Sequence, residues 1–237
     1  MNLDVLVFAA HPDDAELSMG GTIAKLASQN FKIGLIDFTR GELGTRGSAD
    51  IRQKEAFQAA LTLKIAVREN LNIPDGNIEK NQQNLVKVIM AIRKYRPKII
   101  FAPYFNDRHP DHIDVSMLVK QAMFSTGLIK IKTFDKEVAQ PAFRPNKLFY
   151  YMQTYTFDPT FIVDVSSCFE IKMKAVNSYS SQFFNPKSPE PETFISKPGF
   201  IQYIESRAQF YGFQIGKKYG EPFYCEEKIE FEPGSLL

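Results

Sequence analysis

Short apolar runs alternate with amphipathic stretches through the first 150 residues, the pattern of parallel strands joined by crossover helices. DVLVFAA (4–10) is almost continuously apolar, as expected of a strand covered on both faces. KIGLIDF (32–38), KIAVREN (64–70) and KIIFAPY (98–104) read as further strands. Between them, GTIAKLASQN (21–30) spaces Ile23, Leu26 and Ala27 on one helical face. IRQKEAFQAALTL (51–63) predicts a second helix behind two capping candidates, Ser48 and Asp50. QNLVKVIMAIRKY (83–95) carries Leu85, Ile89 and Ile92 on one stripe and stops before Pro97. NDRHPDHIDVSMLVKQAMFS (106–125) reads as a loop running into a helix.

Past residue 125 the alternation loosens. NKLFYYMQT (146–154) and FIVDVS (161–166) predict strands, and SCFEIKMKAVNSYSSQ (167–182) and GFIQYIESRAQFYGFQIG (199–216) predict helices. The proline-rich polar stretch between these helices reads as a mobile loop within one domain, 1–237, because each helix needs a core to pack on.

Composition narrows the functional classes. With 44% hydrophobic and 24% charged residues the chain has the make-up of a soluble globular protein. Its formal charge of +2, from 29 basic and 27 acidic residues, makes no electrostatic case for nucleic acid as a partner. The N-terminal MNLDVLVFAA has no basic leader, and its apolar run is too short for a signal or a membrane span. The expectation is a cytoplasmic protein with no membrane partner. Cys168 and Cys225 stand apart from any CxxC or Cys/His spacing and read as idle thiols.

The three histidines carry more. His11, His109 and His112 all fall in two short motifs, HPDD (11–14) and RHPDH (108–112), and each motif directly follows a predicted parallel strand. Ligands of open α/β sheets bind beyond the carboxyl ends of the strands, where these motifs lie. His11 and Asp14 converge if the chain turns at once. With a histidine from the second motif they make a two-histidine, one-carboxylate set, the chemistry of catalytic zinc with a position left for water. Two other readings of the opening motif remain. Asp13 or Asp14 could cap the helix near Gly21, which leaves RHPDH unexplained. Gly20-Gly21 could cradle a phosphate, but there is no GxGxxG or Walker pattern and two carboxylates stand at that mouth.

HPDD together with RHPDH resembles the LmbE/PIG-L family of zinc-dependent N-deacetylases, and the likeness extends along the chain. HPDDAE with its paired glycines, TRGELGTRGSADIRQKEA (39–56), the IPDG turn (73–76), FAPYFNDRHPDHIDV (101–115) and GKKYGEPF (216–223) occur in the family's order. GELGTRG with Arg52 and Glu55 is most similar to the branch that deacetylates N-acetylglucosaminyl-malate in bacillithiol biosynthesis. The resemblance implies an α/β, Rossmann-like fold, a mostly parallel sheet flanked by helices with a smaller C-terminal β/α extension. It implies one Zn2+ per subunit, with Fe2+ or another divalent ion as a substitute, on His11, Asp14 and His112. Asp13 takes the place of the general base, and His109 that of the group that stabilises charge and protonates the amine. Arg52 lines the site, and Asp111 orients a histidine. The family's site tyrosine falls near Phe200, with Tyr203 and Tyr179 as alternative phenols.

Arg40, Arg46, Arg52 and Arg108 frame the same loops and suit the carboxylates of a malate-bearing sugar conjugate. Glu55, three residues after Arg52, is expected to hold it in place. The expected substrate is therefore N-acetylglucosaminyl-malate. The alternatives are another N-acetylglucosamine compound such as a chitooligosaccharide, or a non-enzymatic nucleotide- or metal-binding module. Relatives imply a homo-oligomer, trimer or hexamer, and the loop 185–198 is a candidate lid or subunit contact.

Overall fold

The apolar run at the N-terminus becomes strand β1 (Val5–Ala9), with all five residues buried. A computed structural model describes residues 1–230 of the chain. Strands β2 (Ile33–Asp37), β3 (Val67–Asn70) and β4 (Ile99–Pro103) follow as expected, separated by helices α1 (Asp14–Ser28), α2 (Ala49–Thr62) and α3 (Gln82–Tyr95). Helix α4 (Pro110–Ser125) follows β4. A small hairpin, β5 (Phe134–Asp135) with β6 (Val138–Ala139), leads to β7 (Lys147–Tyr151) and β8 (Phe161–Asp164). Helices α5 (Phe169–Val176) and α6 (Phe200–Gln214) and strand β9 (Gly220–Tyr224) complete the described chain.

Seven strands form one sheet in the order β3-β2-β1-β4-β7-β9-β8. The first five run parallel; β9 pairs antiparallel with both β7 and β8. The order 3-2-1-4 followed by the next long strand is that of a Rossmann-type half, so the α/β, mostly parallel architecture stands. Its two cores follow from the alternation within β1. Val5, Val7 and Ala9 pack with α1, α2, α5 and α6, whereas Leu6, Phe8 and Ala10 pack with α3 and α4. Among the described residues, no helix is long and apolar enough to cross a membrane.

Three departures from the sequence expectation have physical causes. Helix α1 begins at Asp14, seven residues before the expected start, and is kinked at Met19 (φ −134°, ψ 20°). The glycines that suggested a helix start lie inside it, at the start of its second half. A Cβ on Gly21 would stand 2.8 Å from Cβ of Val165, so only glycine lets the helix pack this closely. The kink frees backbone amides, and the Glu221 carboxylate takes them: it accepts from Gly21 N–H at 3.0 Å, Thr22 N–H at 2.6 Å and the Thr22 hydroxyl at 2.6 Å. The anion at this helical N-terminus is thus the protein's own carboxylate, which replaces the phosphate reading.

Second, β9 was not expected as a strand. Gly220 and Pro222 both weaken a strand signal, and Pro222 cannot donate to a ladder, yet it pairs opposite Ile162. Third, α5 stops at Val176 rather than 182. The segment beyond it turns Tyr179 inward to complete the core under the site.

Candidate active site

The site forms where β1 and β4 end. After Ala9 the chain turns through His11-Pro12-Asp13 into α1, and Asp13 takes φ 116° and ψ −27°, a region that ordinary L-residues avoid. Such a backbone costs about 1–3 kcal/mol and persists only where its surroundings over-determine it. The turn sends the two adjacent carboxylates in different directions.

Asp14 turns toward the histidines. Its Oδ2 accepts the His11 backbone N–H at 2.8 Å and lies 3.5 Å from His11 Nδ1, while its Oδ1 lies 3.2 Å from His112 Nε2. The ligand-capable atoms of His11, Asp14 and His112 all lie within 4.8 Å of one another, and all three residues are buried. Burial works to raise the Asp14 carboxyl, but the His112 charge and hydrogen bonds from both histidines outweigh it and hold Asp14 well below the usual carboxylate range. For His112, burial opposes the charged form, yet Asp14 and Asp107 push the imidazole up to about 9. Three buried groups drawn together by charge in this way, two imidazoles and a carboxylate, fit a divalent cation by their donor chemistry. A second cluster, His11, His109 and Asp111, meets the same distance criterion. Its carboxylate, however, is already engaged: Asp111 Oδ2 accepts the Gly76 N–H at 2.9 Å and lies 3.2 Å from His11 Nε2.

Supporting carboxylates fix both candidate ligand rings. His112 Nδ1 meets Asp107 Oδ1 at 2.9 Å, and Asp107 Oδ2 accepts the backbone N–H groups of Thr154 (2.7 Å) and Tyr155 (3.2 Å). Asp107 sits at about 2: burial raises it, and these hydrogen bonds, led by that from His112, more than reverse the effect. With Nδ1 committed to Asp107, His112 offers Nε2 toward Asp14. His11 Nε2 likewise meets Asp75 Oδ1 at 3.0 Å as well as Asp111. The Asp111 carboxylate thus meets His11, and toward His109 the residue turns its backbone N–H. Asp75 and Asp107 were absent from the expected site, although Asp75 lies in the IPDG turn and Asp107 stands two residues before His109.

Asp13 turns the other way, to Arg52. The guanidinium donates from Nη2 to Asp13 Oδ2 at 2.5 Å and from Nε to the Pro12 carbonyl at 3.1 Å. Burial raises the Asp13 carboxyl to about 6, with Arg52 opposing the rise. The glycine-rich loop makes room for this arginine: Gly41 has φ +65°, and a Cβ there would stand 2.6 Å from Arg52 Nη1. Glu55 does not hold Arg52. It accepts from Ser181 N–H (2.8 Å), the Ser181 hydroxyl (2.7 Å) and the Ser180 hydroxyl, tying α2 to the segment after α5.

His109 caps α4, and its Nδ1 accepts the Asp111 N–H at 3.3 Å, which leaves the ring proton on Nε2. Its ring stacks on His112 with centroids 5.0 Å apart. Burial, followed by the charges of His11 and His112, lowers its pKa, which favours the neutral ring with its proton on Nε2.

His11, Asp13, Asp14, Asp75, His109 and His112 line a cavity of about 460 Å3, within the range of small-molecule sites. Arg52 and Arg108 line it, Arg108 lying over the Phe194 ring at 4.7 Å. Arg46 does not: it is buried elsewhere, donating from Nε to the Ser181 carbonyl at 3.2 Å. Arg40 pairs with Asp50 at the surface, at 2.6 Å. Phe194 and its neighbours Thr193 and Ile195 bring the 185–198 loop into the wall. Phe200 and Tyr203 also line it, whereas the Tyr179 hydroxyl is spent on Glu16 at 2.9 Å beneath the site. Gln153, Thr154 and Arg207, none of them singled out by the sequence, complete much of the remaining wall.

Known proteins share this arrangement of chain. A protein from Thermococcus kodakarensis described as diacetylchitobiose deacetylase is 28% identical over 245 residues, covering 98% of this chain and 84% of its own. The crystal structure of the conserved protein TT1542 from Thermus thermophilus superposes with a TM-score of 0.86 at 34% identity, covering 98% of both chains. That of N,N'-diacetylchitobiose deacetylase from Pyrococcus horikoshii, in complex with an inhibitor, superposes with a TM-score of 0.79 at 28% identity over 98% of this chain and 84% of that one. The family described as PIG-L, GlcNAc-PI de-N-acetylase, matches residues 6–123, the span from β1 into α4 that contains both histidine motifs. The chain therefore belongs to the PIG-L/LmbE family of deacetylases.

Proposed function

We propose that this chain hydrolyses the acetamide of an N-acetylglucosamine unit in a small sugar substrate, with a chitooligosaccharide such as N,N'-diacetylchitobiose preferred. The observation that carries the reading is the buried His11, Asp14 and His112 set beside a separately held Asp13, in one cavity of sugar-accommodating size. The similarity to a diacetylchitobiose deacetylase over 98% of the chain supports the substrate class. The malate conjugate has less support. Of the four arginines that suited its carboxylates, Arg40 and Arg46 do not line the cavity and Arg52 is committed to Asp13, which leaves Arg108.

In this reading His11, Asp14 and His112 hold the metal, Zn2+ or a substitute such as Fe2+. When bound, that ion supplies Lewis acidity toward the acetyl carbonyl and toward water. Asp13 accepts the proton of the attacking water. Arg52 holds Oδ2 of Asp13 and restrains the rise of its pKa, so that the carboxylate is ionised near neutral pH and still basic enough to take a proton. His109, with its proton on Nε2, donates to the oxygen on which negative charge develops. The water oxygen bonds to the acetyl carbon, the C–N bond breaks, and the proton held by Asp13 passes to the departing amine. Acetate and a free amino sugar leave. Asp107, Asp75 and Asp111 keep the imidazoles oriented throughout.

Acetate release from N,N'-diacetylchitobiose, N-acetylglucosaminyl-malate and free N-acetylglucosamine, measured with and without chelator, tests this reading. Fastest chelator-sensitive release from the disaccharide is expected. Faster release from the malate conjugate would overturn the substrate preference, and no release from any of the three would overturn the function.

A further inference from the structure

Thr193 and Ser196 close a tight turn in the segment between α5 and α6. Ser196 Oγ accepts the Thr193 N–H at 2.7 Å, and Thr193 Oγ1 accepts the Ser196 N–H at 3.2 Å. The two residues between them, Phe194 and Ile195, both line the cavity. Upstream, the Glu190 carboxylate accepts the Gly47 N–H at 2.8 Å and ties the segment to the glycine-rich loop. Phe194 is therefore presented to the cavity from a backbone held at several points.

Phe194 and Tyr203, which both line the cavity, are 43% and 40% exposed, whereas Phe200 is buried. The Phe200 ring lies 5.8 Å from that of Phe194 and 6.2 Å from that of Tyr203, so the three form one aromatic wall. The Arg108 guanidinium sits 4.7 Å over the Phe194 ring and covers only part of it. Exposed ring hydrocarbon inside a cavity is surface that gains from being covered by a ligand. The wall also stands apart from the histidines. The imidazoles contact one another at 4.7, 5.0 and 5.6 Å, whereas among the described residues none is in ring contact with Phe194. The chain joins the two groups through Arg108, the neighbour of His109.

We infer that Phe194 is a specificity-determining residue whose ring stacks against the second sugar of a chitooligosaccharide, while the first presents its acetamide to His11, Asp13 and His112. This assignment rests on the function proposed above. The occupant follows from chemistry. A pyranose turns a face of C–H groups toward the negative face of an aromatic ring, and its hydroxyls suit the donors of Arg108 beside that ring. A dicarboxylate such as malate has no such face and gains nothing from the phenyl group.

Michaelis parameters for the metal-loaded enzyme, Phe194→Ala and Phe194→Tyr, on N,N'-diacetylchitobiose and on free N-acetylglucosamine, test the assignment. Phe194→Ala should raise KM for the disaccharide about tenfold with kcat within about twofold, the size of one lost aromatic contact. The preference for disaccharide over monosaccharide, as a ratio of kcat/KM values, should fall by about the same factor. Phe194→Tyr keeps the ring and should hold KM and the ratio within about twofold of the unaltered enzyme. An unchanged KM in Phe194→Ala, or an equal loss on both sugars, would overturn the assignment while leaving the deacetylase reading intact. If the unaltered enzyme releases acetate from neither sugar, the function and this assignment fall together.

Discussion

Arg52 Nη2 and Asp13 Oδ2 lie 2.5 Å apart with both side chains buried, although the residues are 39 positions apart in the sequence. The pair sets how strongly Asp13 holds a proton. Burial raises the carboxyl and Arg52 is the foremost group opposing the rise, so removing the guanidinium moves the pKa further up. Asp13 works as a base only when ionised. The acidic limb of the kcat/KM profile should therefore shift to higher pH in Arg52→Ala, with activity near pH 7 falling about 10-fold or more. An unshifted limb would show that Asp13 is not the group titrating.

Asp107 acts on the metal site through His112. Asp107→Ala removes the acceptor at Nδ1 and frees the ring to turn. Metal affinity, read by competition with a chromophoric chelator, should fall about 10- to 100-fold. Asp75→Ala should weaken it less, because His11 Nε2 keeps Asp111 at 3.2 Å. Equal affinities for Asp107→Ala and the unaltered protein would contradict the ligand role of His112.

Metal binding should be linked to protons. In the metal-free protein His112 titrates at about 9, so at neutral pH a cation must displace a proton from it. The sign follows: raising the pH toward 9 removes a competitor, and apparent affinity increases. Calorimetric titration in two buffers of different ionisation enthalpy should register proton release near pH 7. Binding without proton release would place the cation elsewhere.

Lys172 and Glu221 form a fully buried ion pair at 2.7 Å, and the same carboxylate caps the second half of α1. Glu221→Ala leaves a buried ammonium without its partner and two helical amides without their acceptor. Stability should fall by about 3–5 kcal/mol, measured by denaturant unfolding. Burial already disfavours the charged form of Lys172, so its partner's loss leaves that cost unopposed. A loss under about 1 kcal/mol would show that the pair is dispensable.

Much of this was legible in the sequence because the first half of the chain follows the rules of local pattern. The buried parallel strands β1, β2 and β4 announce themselves as apolar runs, and three histidines confined to two motifs mark the carboxyl edge of the sheet. What was not legible depends on long-range partners. Whether Arg46 faces the cavity is decided by Ser181, 135 residues away, and Glu55 is drawn to the same segment instead of to Arg52. Strand β9 is held by its neighbours on both sides in spite of Pro222, which no local signal could supply.

The most direct test of the central claim is the rate of acetate release from N,N'-diacetylchitobiose by the unaltered enzyme and Asp13→Asn, each loaded with Zn2+ and assayed for bound metal. Both should carry one equivalent of metal, since Asp13 faces Arg52 and not the histidines. The unaltered enzyme should release acetate, and Asp13→Asn should do so about 100- to 10,000-fold more slowly. Near-equal rates, or full activity in protein stripped of metal, would contradict the division of labour between Asp13 and Asp14.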